Sequence, residues 1–216
     1  MPGPGADTPD GLGETSRPDP AAFRVADNWH GGYYELAIEL APGDDAQLQA
    51  VLDAVWSAAD VRGCFAQRDR EPHEQDRVPR TVAALAEAYA LRGQVRLPTG
   101  QLVVCLCLVV RGDPDAVVGG EDGDWLSFCV PYGALSHAGV PFADERLSIR
   151  SAALDDWLAG IARKAFETAP FRFGVVGWEV ACVADPATLR GEFPRQVGVG
   201  YLVPRGGVLR YVPAGE

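Results

Sequence analysis

The run YYELAIELAPGDDAQLQAVLDAVWSAAD, residues 33–60, decides the fold. In its first part Tyr34, Leu36, Ile38 and Leu40 alternate with Tyr33, Glu35, Ala37 and Glu39. A period of two is that of a pleated strand, here with one fully apolar face. Pro42-Gly43 interrupts the pattern, and the period then changes. Leu48, Val51, Leu52, Val55, Trp56 and Ala59 share one stripe of a 3.6-residue repeat, and Asp44 or Asp45 stands where a helix cap belongs. The segment is a strand followed by an amphipathic helix.

Toward the C-terminus, RGCFAQ reads as a short strand, and RDREPHEQDRVPR, with two prolines and alternating charges, as a surface loop. A brief helix is expected near Arg80–Glu87. From Tyr89 to Leu97 apolar residues alternate again, up to the turn Pro98-Thr99-Gly100. LVVCLCLVV then follows, apolar on both faces, so this hairpin supplies a central strand. WLSFCV adds another, ending at Pro131-Tyr132-Gly133. A second strand–helix–strand unit runs from Arg146–Arg150 through a helix bearing Leu154, Trp157, Leu158, Ile161, Ala162 and Ala165 to FRFGVVGWEVACV. Asp185-Pro186 is expected to start a short helix, and VGVGYLVPRGGVLRYV a last hairpin.

These elements predict an α+β fold: a mostly antiparallel sheet with two main amphipathic helices packed on one face. The opposite face is expected to be open. The two strand–helix–strand units suggest ferredoxin-like half units, although their sequences barely align. Residues 1–22, crowded with Gly and Pro and nearly without large apolar side chains, read as a disordered tail, leaving 23–216 as a single domain.

Thirty acidic residues against nineteen basic ones give a net charge of −11, which disfavours phosphate backbones and so argues against nucleic-acid binding. A basic protein or a small molecule is the expected partner. Arg supplies nearly all the cations, a bias of GC-rich bacterial genomes. No apolar stretch is long enough to span a membrane, and the start lacks the pattern of a secretory leader. A cytoplasmic location is therefore expected. The five cysteines are odd in number and mostly sit in apolar runs, so they read as buried thiols.

No cofactor fingerprint and no metal-ligand spacing occurs: VGVGYL and PRGGVL lie on a hairpin, without the strand-to-helix context a phosphate cradle needs. Cys105 and Cys107 share a strand face, but four closely spaced zinc ligands are lacking. Cys129, at a strand end before VPYGAL, is a candidate nucleophile, with His30 or His137 as its base. Glu35 and Glu39 share a face but stand roughly 13 Å apart, too far for a glycosidase pair. Glu179 lies in an apolar run, where an acid is costly unless paired or solvated, with Arg172, Arg150 or a ligand as its partner. In DNWHGGYY, Trp29 and His30 either turn the chain into the strand over Gly31-Gly32 or line a pocket rim with Tyr33 and Glu35.

Two functional classes follow. The first is a non-catalytic binding protein that masks a basic partner, as small acidic immunity or antitoxin-like proteins do, with Trp29, His30, Tyr33, Glu35 and Trp178 as binding candidates. The second is a small enzyme on the open sheet face using His30, Glu35, Glu179 and Cys129, whose side chains would then have to converge around one pocket.

Overall fold

The structure, a computed structural model, describes residues 17–112, 123–145, 148–184, 193 and 198–215. A 3-10 turn (Ala26–Trp29) leads into β1 (Tyr33–Leu40), α1 (Asp45–Ala58), β2 (Arg62–Phe65), α2 (Val82–Ala88), β3 (Leu91–Arg96), β4 (Leu102–Val110) and β5 (Asp124–Pro131). There follow α3 (Tyr132–His137), β6 (Ala143–Glu145), β7 (Ser148–Arg150), α4 (Ala152–Thr168), β8 (Phe173–Trp178), β9 (Val199–Arg205) and β10 (Val208–Val212). Eight strands form one sheet in the order β10-β9-β8-β1-β5-β4-β3-β2, with every neighbouring pair antiparallel. The class is α+β, as expected.

β1 lies at the centre, between β5 and β8. Tyr34, Leu36, Ile38 and Leu40 are buried in the main core together with Leu48, Val51, Leu52 and Val55 of α1 and Leu154, Leu158, Ile161 and Ala165 of α4. Both long helices therefore cover one face and also pack on each other. Each such leucine or valine contributes roughly 1.5–3 kcal/mol on burial. Asp44 caps α1, its carboxylate accepting from the Gln47 N–H at 2.9 Å. Arg111 fastens the same helix start to the sheet, bridging Asp45 at 2.5 Å and the buried Asp124 at 2.6 Å.

The ferredoxin-like pairing is not what organises the sheet. β2 lies at its edge, with β3, β4 and β5 between it and β1, whereas β8 is directly beside β1. The strand expected at Arg146–Arg150 is β7, which pairs with β6 in a separate two-stranded sheet. Sequence period reports which face of a strand is buried, not which strand it pairs with.

The second sheet face is not open. Ala37, Trp125, Phe173, Val175 and Tyr201 form a buried cluster there with Val180, and Ala181, Ala184 and Phe193 pack against it. Further along, Leu106 and Cys129 are buried with Ala90, flanked by Trp29, Tyr33 and Leu108. The chain leaving β8 causes this closure. FRFGVVGWEVACV reads as one continuous strand, but the strand stops at Trp178, because Glu179 takes a positive φ of 47° and turns Val180 and Ala181 back over the sheet. α2 ends in the same manner: Tyr89, placed in a strand by its alternation, adopts φ 59° as the helix C-cap and is exposed.

Residues before Phe23 also make contacts with the body of the fold. Arg17 donates to the Ser136 carbonyl, Val104 N–H to Pro20, and the Gln94 amide to Ala21. Of the tail expected over residues 1–22, residues 1–16 lie outside the described residues, as does the helix expected from Asp185-Pro186.

Candidate functional site

The segment DNWH is held by hydrogen bonds to its own neighbourhood. Asn28 is fully buried; its amide donates to the carbonyls of Asp19 (2.9 Å) and Ala22 (2.8 Å), and its Oδ1 accepts from His137 Nδ1 at 2.6 Å. Because both amide hydrogens point at carbonyls, Oδ1 must be the acceptor and His137 Nδ1 carries the proton. His137 is thereby bound into the fold. Trp29 Nε1 donates to the Phe23 carbonyl at 2.7 Å, and the Trp29 ring meets Phe23 edge-on. His30 Nδ1 donates to the Asp27 carbonyl at 2.6 Å, which leaves Nε2 of its exposed ring as an acceptor.

Beyond His30 the two glycines have separate tasks. Gly31, at φ +76°, brings the backbone against the Tyr132 side chain. At Gly32 a Cβ would stand 2.2 Å from Glu179 Oε1 and 2.6 Å from Trp178 Cζ2, so the missing side chain lets both residues fold over the entry to β1. β5 ends at the same place, with Tyr33 opposite Pro131, and so does β8, with Tyr34 opposite Trp178. Tyr132, the first residue after β5, is the centre of the assembly. Its ring lies 5.8 Å from Trp178, 6.1 Å from His30 and 5.7 Å from Phe142, centroid to centroid. All four rings are at least partly exposed, and Glu179 is exposed at their edge.

The structure brings some sequence candidates together and separates others. His30, Trp178 and Glu179 gather around Tyr132. Trp29 and Tyr33 border the neighbouring second-face cluster of Leu106 and Cys129. Glu35 and Cys129 are cross-strand partners, with the thiol donating to Glu35 Oε2 at 3.5 Å. Both are buried, and the Ala181 N–H closes over Glu35 Oε1 at 2.9 Å. Burial raises the Glu35 carboxyl, partly offset by the Ala181 N–H. Ser127 Oγ completes no hydrogen bond of ordinary geometry, yet it lies close enough to favour ionised Glu35. Burial, and then the charge of Glu35, push the Cys129 thiol well above its ordinary value. That is the reverse of what a nucleophilic thiolate needs. Glu179 avoids the cost of a buried acid by reaching solvent, so the sequence argument for a paired partner at that position does not apply.

Tyr132 and Phe142 were not legible as site residues. P-Y-G reads as a strand terminator, and the nearest signal for the patch is the pair Gly31-Gly32 beside aromatic residues. No family model, no curated protein and no solved structure matches the chain. Among the described residues no helix is long and apolar enough to cross a membrane.

Proposed function

We propose that this is a non-catalytic binding protein that engages a basic protein partner, in the manner of small acidic immunity or antitoxin-like proteins, through the patch centred on Tyr132. The observation that carries this reading is the half-exposed group of Trp178, Tyr132, Phe142 and His30, edged by Glu179, on a chain of net charge −11. Large aromatic side chains with little rotamer freedom dominate the energetics of protein interfaces. Their faces attract guanidinium and ammonium groups, and an adjacent carboxylate adds a charge-assisted hydrogen bond. The acidic field favours fast encounter with a cationic partner.

Glu179 supports the same reading by its conformation. A non-glycine residue at positive φ costs on the order of 1 kcal/mol, which glycine would avoid. A carboxylate kept at that cost, beside the aromatic rings, fits a role for its charge. Burial of Glu35 and Cys129 counts against the enzyme alternative.

The test is co-expression with the basic products of genes adjoining its own, followed by sizing in solution. The expected result is a stoichiometric complex that weakens as salt is raised. Absence of a complex with every such product at low salt would overturn the proposal.

A further inference from the structure

We propose a second site, sharing only His30 with the Tyr132 patch: a cleft that takes a small molecule bearing an oxyanion, a carboxylate or a phosphate group, between the segment 23–30 and the loop that follows β2. The cleft, of about 410 Å³, is lined by Phe23, Arg24, Ala26, Trp29, His30, Arg68 and Asp69. That volume is within the range of small-ligand pockets. It combines the partly exposed ring of Trp29, backed by the buried Phe23, with the cationic side chains of Arg24 and Arg68.

The charge pattern points to an anion. Although the chain is strongly acidic, Arg68 makes no salt bridge among the described residues, and neither does Arg92. Arg92 uses Nη1 on the carbonyls of Ala66 (2.5 Å) and Ala90 (2.9 Å), which ties it to the start of the loop carrying Arg68, while its buried Nε makes no hydrogen bond among the described residues. Burial and then the neighbouring Arg68 charge lower the Arg92 guanidinium, so the two cations repel one another at this place. Of the four loop carboxylates, Asp69, Glu71, Glu74 and Asp76, two are committed elsewhere, and Asp69 partly offsets the Arg92 charge. Glu71 accepts from the backbone N–H groups of Phe23 (3.0 Å) and Arg24 (2.9 Å). Glu74 accepts from Arg24 at 2.7 Å and from the Glu71 N–H at 2.9 Å. Asp69 is the acid that remains on the cleft wall. A guanidinium fork matches a planar or tetrahedral oxyanion in two hydrogen bonds, and Arg68 is the fork placed to offer them.

This inference does not rest on the Tyr132 patch, and its failure would leave that reading untouched. The test follows the Trp29 indole N–H resonance by NMR while the full chain is titrated separately with orthophosphate and with benzoate. Saturable movement of that resonance is expected with at least one of them, and the tighter of the two assigns the ligand to phosphate esters or to carboxylic acids. Arg68→Ala should weaken that binding about tenfold, whereas Arg96→Ala, at the distant β3–β4 turn, should leave it unchanged. Non-saturating shifts with both anions, or equal losses in the two variants, would overturn the proposal.

Discussion

Asn28 illustrates how a residue that looks like a site candidate's neighbour becomes a structural tie. Its three side-chain hydrogen bonds join two segments to it: the turn of Asp19 and Ala22, and His137 at the end of α3. Asn28→Ala would leave the Ala22 carbonyl and the His137 imidazole N–H without this partner, while the Asp19 carbonyl keeps the Ala22 N–H, a loss of about 2 kcal/mol. Urea unfolding should read that loss as a lower midpoint with an unchanged slope. Asp155 behaves differently. It lies buried on α4 and accepts from the Tyr34 hydroxyl at 2.6 Å. Burial raises its carboxyl from 3.8 to about 6, with the Tyr34 hydrogen bond and Arg150 pulling the other way. Because the folded value exceeds the unfolded one, the folded form holds its proton longer, and the cost of ionising Asp155 in place grows as pH rises from about 4 to about 6. Asp155→Asn removes that cost. Measured by thermal unfolding, the stability of the variant relative to the parent should therefore increase from pH 4 to pH 7, by at most about 3 kcal/mol.

At the scale of elements, two glycines give opposite expectations. α3 packs on the 3-10 turn so closely that a Cβ on Gly133 would stand 1.7 Å from the Asp27 carbonyl oxygen. Gly133→Ala must push the two segments apart and should cost about 3 kcal/mol. Gly160 lies inside α4 with open space where its Cβ would be, so Gly160→Ala should stabilise the protein by about 1 kcal/mol. Calorimetry on the pair would show the two melting temperatures moving in opposite directions. The same scale explains what the sequence could and could not convey. β1, α1 and α4 were legible because one face of each meets the core and the period of burial is written in the residues. The end of β8 was not. Val180 and Ala181 are apolar because they cover the second face, and an apolar residue that covers a sheet looks the same in sequence as one that extends it. The fate of β7 and the order of the strands depend on pairings between distant segments, which no local period records. At the candidate site, His30, Trp178 and Glu179 were visible as residue types, but their meeting around Tyr132 required the ends of β5 and β8 to flank the start of β1.

For the whole molecule, closure of the second face is why the proposed interaction surface lies at the sheet's end and not on the sheet plane. There the chain enters β1 and leaves β5 and β8, and the aromatic rings stand beside an exposed acid in a negative field. Reversing that one charge changes the local field while leaving every buried contact in place. The most direct test is therefore the dissociation constant of the complex with its purified basic partner, for the parent and for Glu179→Lys, with Glu87→Lys on α2 as a control for net charge. The account predicts that Glu179→Lys weakens binding about tenfold more than the control does. Equal losses in the two variants, or an affinity unmoved by Glu179→Lys, would contradict it.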